Sequence, residues 1–479
     1  MKNKNRFDII IIGAGSGGLG LGLIMNHAGL RVLMVSKTSE DIGGECLNDG
    51  CIPSKAIIHI AKIVHCARQA ASFGLQVNGK ADIKKITDYI QARQDVIREH
   101  ESKEWLEQQG ITVVLGEAKF AAKNAIEVDG ITYTAKKIVI ATGSKPQKLK
   151  VEGVEQVKYF DNESIFSIEE LPEKMLIIGG GPVSIEMGQA LSRLGSKIKI
   201  VANGQFILEH DNPVVTGILQ QQLEKEGIEF ILDAQVSKFI SNTEAFVIKK
   251  SGETISLNFD AVFVGIGREL NLGNLNLAEA GIKTKDDKIV IDKYLRTSNK
   301  SIVVCGDAAG DLKFSHAAEF HARIILNNFF SPFKKKLDNK YMSWVTFTDP
   351  ELATFGLSEK QIKAGKIKYT GLEKSFAEDD RAVIDNYQYG KIILLLSNNG
   401  IFSKQKVLGG TMIAPNAGEI IQELILANSS GLSVNAIFNK IYPYPVSARI
   451  NQEIITDMML DKLTPFIKTI LQKTYKIFG

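Results

Sequence analysis

Two cysteines with four residues between them stand in the run Gly43-Gly44-Glu45-Cys46-Leu47-Asn48-Asp49-Gly50-Cys51-Ile52-Pro53-Ser54-Lys55. Thiols at this spacing can close into a short, strained disulfide. Such a bond is easily reduced and suits electron transfer better than bracing a fold. Upstream lie Gly13, Gly15 and Gly18 at G-x-G-x-x-G spacing, the fingerprint of a dinucleotide loop. Thiol chemistry is therefore expected beside a cofactor that can supply electrons.

Such residues need elements to hold them. Residues 7–12 read as a buried parallel strand, 19–27 as a helix and 31–35 as the next strand, which makes a βαβ unit around the glycines. The pattern returns with a strand at 174–178, a turn holding Gly179, Gly181 and Ser184, a helix at 185–194 and a strand at 197–201. One such fingerprint is weak evidence, but two, each between a strand and a helix, are much stronger. In both, glycines let the backbone approach a pyrophosphate, and the helix N-terminus offers free N–H groups to it. Thr142, Gly143 and Ser144, after a strand at 137–141, read as a crossover between domains, and Asp307 follows a strand at 301–305 with its carboxylate aimed at a polar ligand. From about residue 344 strands at 345–347, 391–396 and 406–412 mix with helices at 417–427 and 434–439, which suits an α+β module. Cys66 and Cys305 are expected to be packing residues.

A length of 479 residues calls for about three domains, and 44% hydrophobic with 23% charged residues is the balance of a soluble globular chain. A net charge of +4 is small for this size and does not imply a nucleic-acid partner, so none is expected, and the lysine clusters at 84–85, 136–137 and 334–336 read as solvated charges. Four cysteines in so long a chain do not make a secreted disulfide framework, so a reducing, cytoplasmic setting is expected. The start Met1-Lys2-Asn3-Lys4 with the apolar residues 9–12 is too short for an export signal, and no apolar run is long enough to span a membrane.

In these motifs the chain resembles the FAD-dependent pyridine nucleotide–disulfide oxidoreductases with a C-x-x-x-x-C centre, which include mercuric reductase, dihydrolipoyl dehydrogenase and glutathione reductase. The resemblance covers roughly residues 5–460 and also rests on Gly265-Ile266-Gly267-Arg268, Gly306-Asp307 and Asp349-Pro350-Glu351. It implies an α/β fold with two Rossmann-like dinucleotide-binding domains plus an α+β C-terminal dimerisation domain. The expected boundaries are 1–147 and 271–343 for FAD, 148–270 for NAD(P), 344–461 for the interface domain and 462–479 for a tail helix. It implies FAD on Gly13, Gly15, Gly18 and Gly44, with Ser36 at the ribose, Thr142 and Gly143 at the crossover, Gly267 nearby and Asp307 on the ribityl chain. The segment 313–316, ending in His316, would cover the flavin. NADPH or NADH would lie on Gly179, Gly181 and Ser184. Cys51 would be the thiolate at the flavin, Cys46 the interchange thiol, and Lys55 with Glu186 an ion pair near the flavin's reactive nitrogen. A homodimer is implied, each interface domain completing its partner's site, with no resident metal.

Three positions depart from that pattern. The acid expected on the FAD ribose is Ser36, and the matching position of the second fold is Ala202, followed by Asn203, which leaves NADH against NADPH open. The third is the segment Tyr442-Pro443-Tyr444-Pro445-Val446-Ser447-Ala448. Tyr444 stands where disulfide reductases of the family carry a histidine, and Ala448 where they carry its glutamate partner. No histidine follows His321. A phenol titrates near ~10 against ~6.5 for imidazole, so it is a poor base at neutral pH. Mercuric reductases also have a tyrosine here, which favours a metal–thiolate or other electrophilic acceptor. Two of their features, a terminal cysteine pair and an N-terminal metal-binding module, are not seen in this sequence, so mercury is a lead only. A dihydrolipoyl dehydrogenase-like disulfide reductase and a low-turnover redox-sensing or membrane-associated flavoprotein stay open as alternatives.

Past Asp461 no acid appears, while Lys462, Lys468, Lys473 and Lys476 do, and apolar residues recur at helical spacing. This reads as a basic amphipathic helix that either packs on the dimer or makes peripheral contact with an anionic membrane, at the inner face.

Overall fold

The computed structural model describes residues 4–398 and 404–479; residues 1–3, part of the start weighed above as an export signal, lie outside the described residues. The strand β1 (Arg6–Ile12) ends in four consecutive isoleucines, all buried. A strand apolar on both faces belongs inside a parallel sheet, and there it lies. The helix α1 (Ser16–His27) follows the glycine turn, and β2 (Val32–Ser36) pairs parallel to β1 from Ile9↔Val32 to Ile12↔Val35. Two helices come next, α2 (Gly44–Asn48) and the long α3 (Cys51–Gln69).

The first sheet runs β3 (Thr112–Leu115), β2, β1, β6 (Ile131–Ile140), β5 (Ala125–Val128), β4 (Lys119–Ala122). β6 is longer than the expected strand at 137–141. Its first half turns back on β5 through Asp129-Gly130, both at positive φ (47° and 76°), the two-residue hairpin that this dipeptide favours. The second βαβ unit has β7 (Lys174–Ile178), α4 (Pro182–Leu194, with proline in its first turn) and β8 (Lys197–Val201). Its parallel sheet is ordered β9 (Glu229–Ile231), β8, β7, β10 (Ala261–Val264), with a short strand at Tyr159–Phe160. β11 (Ile302–Val304) adds to β6, and α5 (Ser315–Phe330) follows it. All of this belongs to one compact unit, residues up to Asn203 with Glu229–Asp338.

The second unit holds Gly204–Ile228 and Asn339–Gly479. Its antiparallel sheet is ordered β12 (Ser343–Thr346), β13 (Glu351–Gly356), β16 (Val407–Ala414), β15 (Lys391–Ser397), β14 (Tyr369–Ser375). A helix at Pro213–Lys225 packs on β13 and β16. The half-buried Asp211 carboxylate ahead of it accepts hydrogen bonds from Trp344 Nε1 (2.9 Å) and Thr354 Oγ1 (2.6 Å). That anchorage, invisible in local sequence, ties this segment to the later strands. The helix expected at 417–427 is two, Ala417–Ile420 and α6 (Gln422–Ser430). Backbone bonds from Ile421 to Ala417 and from Ile425 to Ile421 persist, so it is a distortion rather than a stop. Then come α7 (Ile450–Asp461) and α8 (Pro465–Phe478). Among the described residues no helix is long and apolar enough to cross a membrane.

Candidate active site

Cys51 is the first residue of α3, with Gly50 as the cap, so its sulfur stands at the end of a helix where free N–H groups favour an anion. Cys46 lies in α2, and both thiols are free, the reduced form of the pair. The Cys46 thiol donates to Cys51, the Ser315 hydroxyl lies 3.4 Å from the Cys51 sulfur, and the Lys55 charge adds to both. Together these bring Cys51 from the usual thiol range down to about 6. Cys46, as the donor and partly buried, is pushed the other way. The pair thus holds one thiolate and one thiol at neutral pH. Lys55 lies one turn along the same face of α3. Its ammonium is 2.8 Å from the carboxylate of Glu186 on α4, which is almost wholly buried.

The glycine turn and the cysteine loop are built against each other. A Cβ on Gly13 would stand 2.2 Å from the Ala141 carbonyl, and one on Gly44 (φ +65°) would stand 2.6 Å from the Cα of Gly15. Gly43 bridges to Gly15, and its N–H donates to Ala14. Gly18 is similarly closed, its Cβ position 2.1 Å from the Gly13 carbonyl. This leaves a bare backbone at the start of α1, and the buried Thr142 hydroxyl nearby in sequence to the crossover Gly143 (φ +70°) has no protein partner among the described residues. A close-packed glycine cradle and an orphaned hydroxyl fit a dinucleotide. Ser36 is buried at the end of β2.

Asp307 accepts from the Ser144 hydroxyl and lies 3.8 Å from Arg268. Arg268 also donates to Ser144 Oγ and to its carbonyl (2.7 Å each) and grips both carboxylate oxygens of Glu45, the residue before Cys46. Asn162 donates to the same carboxylate. Burial pushes Glu45 up to about 7 against the pull of Arg268. His321 Nδ1 accepts the N–H of Gly306 (3.2 Å), which steadies the turn carrying Asp307. Sequence reasoning named Asp307, took Glu45, Ser315 and Arg268 only as members of longer motifs or segments with no role of their own, and missed His321. His316 is exposed and stacks on Phe314.

In the second βαβ unit a Cβ on Gly179 (φ +120°) would stand 2.3 Å from the Gly265 carbonyl, while Gly181 faces open space at the cap of α4. Ser184 is fully buried, and its hydroxyl donates to Gly265 (3.3 Å), so the side chain fastens the turn and only backbone is left for a ligand. Gly267, also at positive φ (121°), opens the segment to Arg268. Ala202 is buried at the end of β8 and supplies no acid. In the second unit Tyr444 is 65% exposed and donates to Asp380 Oδ2 (2.8 Å), which raises its phenol above the usual range. Glu423 on α6 accepts from Tyr442, Lys440 and Asn451 and so anchors the segment leading to Tyr444.

Cys66 is a correction. It is exposed rather than packed, because α3 buries nothing past Ala61, whereas Cys305 is buried as expected.

Paired thiols, two glycine cradles and a dimer-type α+β unit together define a flavin-linked disulfide oxidoreductase. Comparison with known proteins agrees: residues 7–322 match the pyridine nucleotide-disulphide oxidoreductase family, and residues 342–454 match its dimerisation domain. The chain belongs to this family. It is an oxidoreductase that uses FAD and NAD(P)H, and its dimerisation domain supports a homodimer. A mercuric reductase of Staphylococcus aureus is 28% identical over 91% of this chain and 80% of its own. A dihydrolipoyl dehydrogenase of Mycoplasma pneumoniae is 31% identical over 95% of this chain and 99% of its own. The Cu(II) complex of the HOCl-induced flavoprotein disulfide reductase RclA from Escherichia coli shares the fold, with a TM-score of 0.81 at 22% identity over 94% of this chain and 99% of its own.

Proposed function

We propose that this enzyme passes electrons from NAD(P)H through the Cys46–Cys51 pair to a soft metal ion held as a thiolate complex, as a mercuric reductase does, or to a similar electrophile. Gly13, Gly15, Gly18 and Gly44 would hold FAD, which would supply an acceptor for the electron pair of NAD(P)H that is able to reduce a disulfide. Cys51, favoured as the thiolate, takes the flavin side in this reading, and Lys55 with Glu186 holds a fixed charge pair near it. Cys46 faces the acceptor. Oxidation of the thiolate–thiol pair to the disulfide releases two electrons and one proton; the electrons reduce Hg(II) to the metal and its two thiolate ligands leave. NAD(P)H then delivers two electrons and a proton to the disulfide, which restores one thiolate and one thiol and leaves NAD(P)+.

Tyr444 carries the reading. Reduction of a disulfide substrate expels a thiolate that must be protonated, and a positioned acid–base is typically worth about 10²–10⁴ in rate. A phenol raised by Asp380 holds its proton more tightly than a thiol does, so it is poorly suited to supply that proton at neutral pH. A metal between two thiolates needs no such proton. Tyr444 is assigned to the acceptor side of the partner subunit's thiol pair. The second reading, a dihydrolipoyl dehydrogenase-like activity, is favoured by the 31% identity with such an enzyme over nearly the whole chain.

Anaerobic oxidation of NADH and of NADPH, with thiol-bound Hg(II) and lipoamide offered in parallel, separates the two. Turnover with Hg(II) alone is expected, lost by about 10³-fold or more in Cys46→Ser. Lipoamide turnover that survives unchanged in Tyr444→Phe would instead establish the second reading, with another group as its acid.

A further inference from the structure

Helix α8 plays no part in the chemistry above, and the dimerisation match ends at residue 454, before it begins. Its start is locally encoded: the Thr464 hydroxyl caps the N–H of Ile467, and Pro465 takes the first turn. Yet none of its residues is buried. Phe466 is 73% exposed and Phe478 83%, with Ile470, Leu471, Tyr475 and Ile477 exposed as well. At 3.6 residues per turn Phe466, Ile467, Ile470, Leu471, Ile477 and Phe478 share one half of the helix. The other half carries Lys468, Lys473 and Lys476 with Gln472 and Thr469, and Lys468 and Lys473 border the apolar half.

Charge distinguishes the candidates for what covers this face. The whole chain has 58 basic and 54 acidic residues, a net +4. Residues 462–479 hold four lysines, no arginine and no acid, so the remaining residues balance at 54 against 54. The entire excess charge thus lies on or beside one exposed amphipathic helix. A helix of 14 residues is ~21 Å long, too short to span a ~30 Å bilayer core but long enough to lie along its surface. Lysines bordering an apolar face can reach headgroups while their stems lie along it.

We propose that α8 binds an anionic membrane surface, its aromatic and aliphatic half sunk to the headgroup level and Lys468, Lys473 and Lys476 on the lipid charges. This rests on the helix alone and is independent of the electron acceptor. The full-length holoenzyme would be sedimented with vesicles of phosphatidylcholine alone and of phosphatidylcholine with about a third phosphatidylglycerol. Binding to the second only, weakened by salt, is expected. Neutralising one lysine should weaken it about five-fold, and K468Q/K473Q/K476Q together on the order of a hundred-fold. F466S/I470S/F478S should abolish it. Both variants should remain dimers by size exclusion and oxidise NAD(P)H as the wild type does. Failure of the wild type to bind, equal binding to both vesicles, or unchanged binding by the variants would overturn the proposal. So would variants that fall apart to monomers, which would make the partner subunit the occupant of this face.

Discussion

At the scale of single residues, the thiol pair is asymmetric. Cys51 has the helix end, the Ser315 hydroxyl and Lys55 around it, and Cys46 has the burial and the donated hydrogen bond. Because Cys51 is lowered from 9.0 to about 6, its thiolate stabilises the reduced fold fully above the unfolded value. That contribution falls as pH drops and is gone below about 6. Ultraviolet absorbance of the reduced enzyme should therefore show one thiolate titrating near pH 6, absent in Cys51→Ser; a first thiolate appearing only above pH 8 would refute the assignment. Cys46, Cys51 and Lys55 could be named from sequence because one short segment carries all three. Glu45 and Arg268 are 223 residues apart, and Cys51 and Ser315 are 264 apart. No spacing rule links such partners, since they meet only when α2, α3, α5 and the Gly267 turn have packed.

At the scale of elements, two kinds of local signal were readable. The apolar run of β7 and the lysine–isoleucine alternation of β8 were readable to the residue, while the glycine turns placed the starts of α1 and α4 three residues late, at 19 and 185 against Ser16 and Pro182, because the first helical turn is itself part of the glycine loop. Half-exposed strands such as the first part of β6 were missed, because a hairpin that leaves the core shows no continuous apolar run. The α2 entry is the most constrained backbone of the site. Gly44 combines a left-handed conformation with backbone 2.6 Å from where a Cβ would go, and that neighbour cannot swing aside as a side chain would. Gly44→Ala should therefore cost about 1–3 kcal/mol and loosen FAD. A lowered melting temperature and free flavin after gel filtration would show it. Gly143→Ala, at positive φ but with open space around it, should lose less flavin.

At the scale of the whole molecule, the fold class was legible because two copies of one βαβ pattern precede a change of texture, and the structure keeps that change. The grouping of residues 204–228 with the later strands was not legible, since it hangs on Asp211 meeting Trp344 and Thr354 across more than a hundred positions. The four cysteines also divide by accessibility. Cys51 and Cys66 are exposed, Cys46 is partly so, and Cys305 is buried, its thiol pushed up to about 12. A reagent that counts reactive sulfhydryls should thus report the redox state as an integer. Three of the four should react in the reduced native enzyme and only Cys66 in the oxidised one, with Cys305 joining the count when the chain unfolds. The one exposed cysteine outside the redox pair becomes a built-in standard against which each electron pair delivered is read as two sulfhydryls gained.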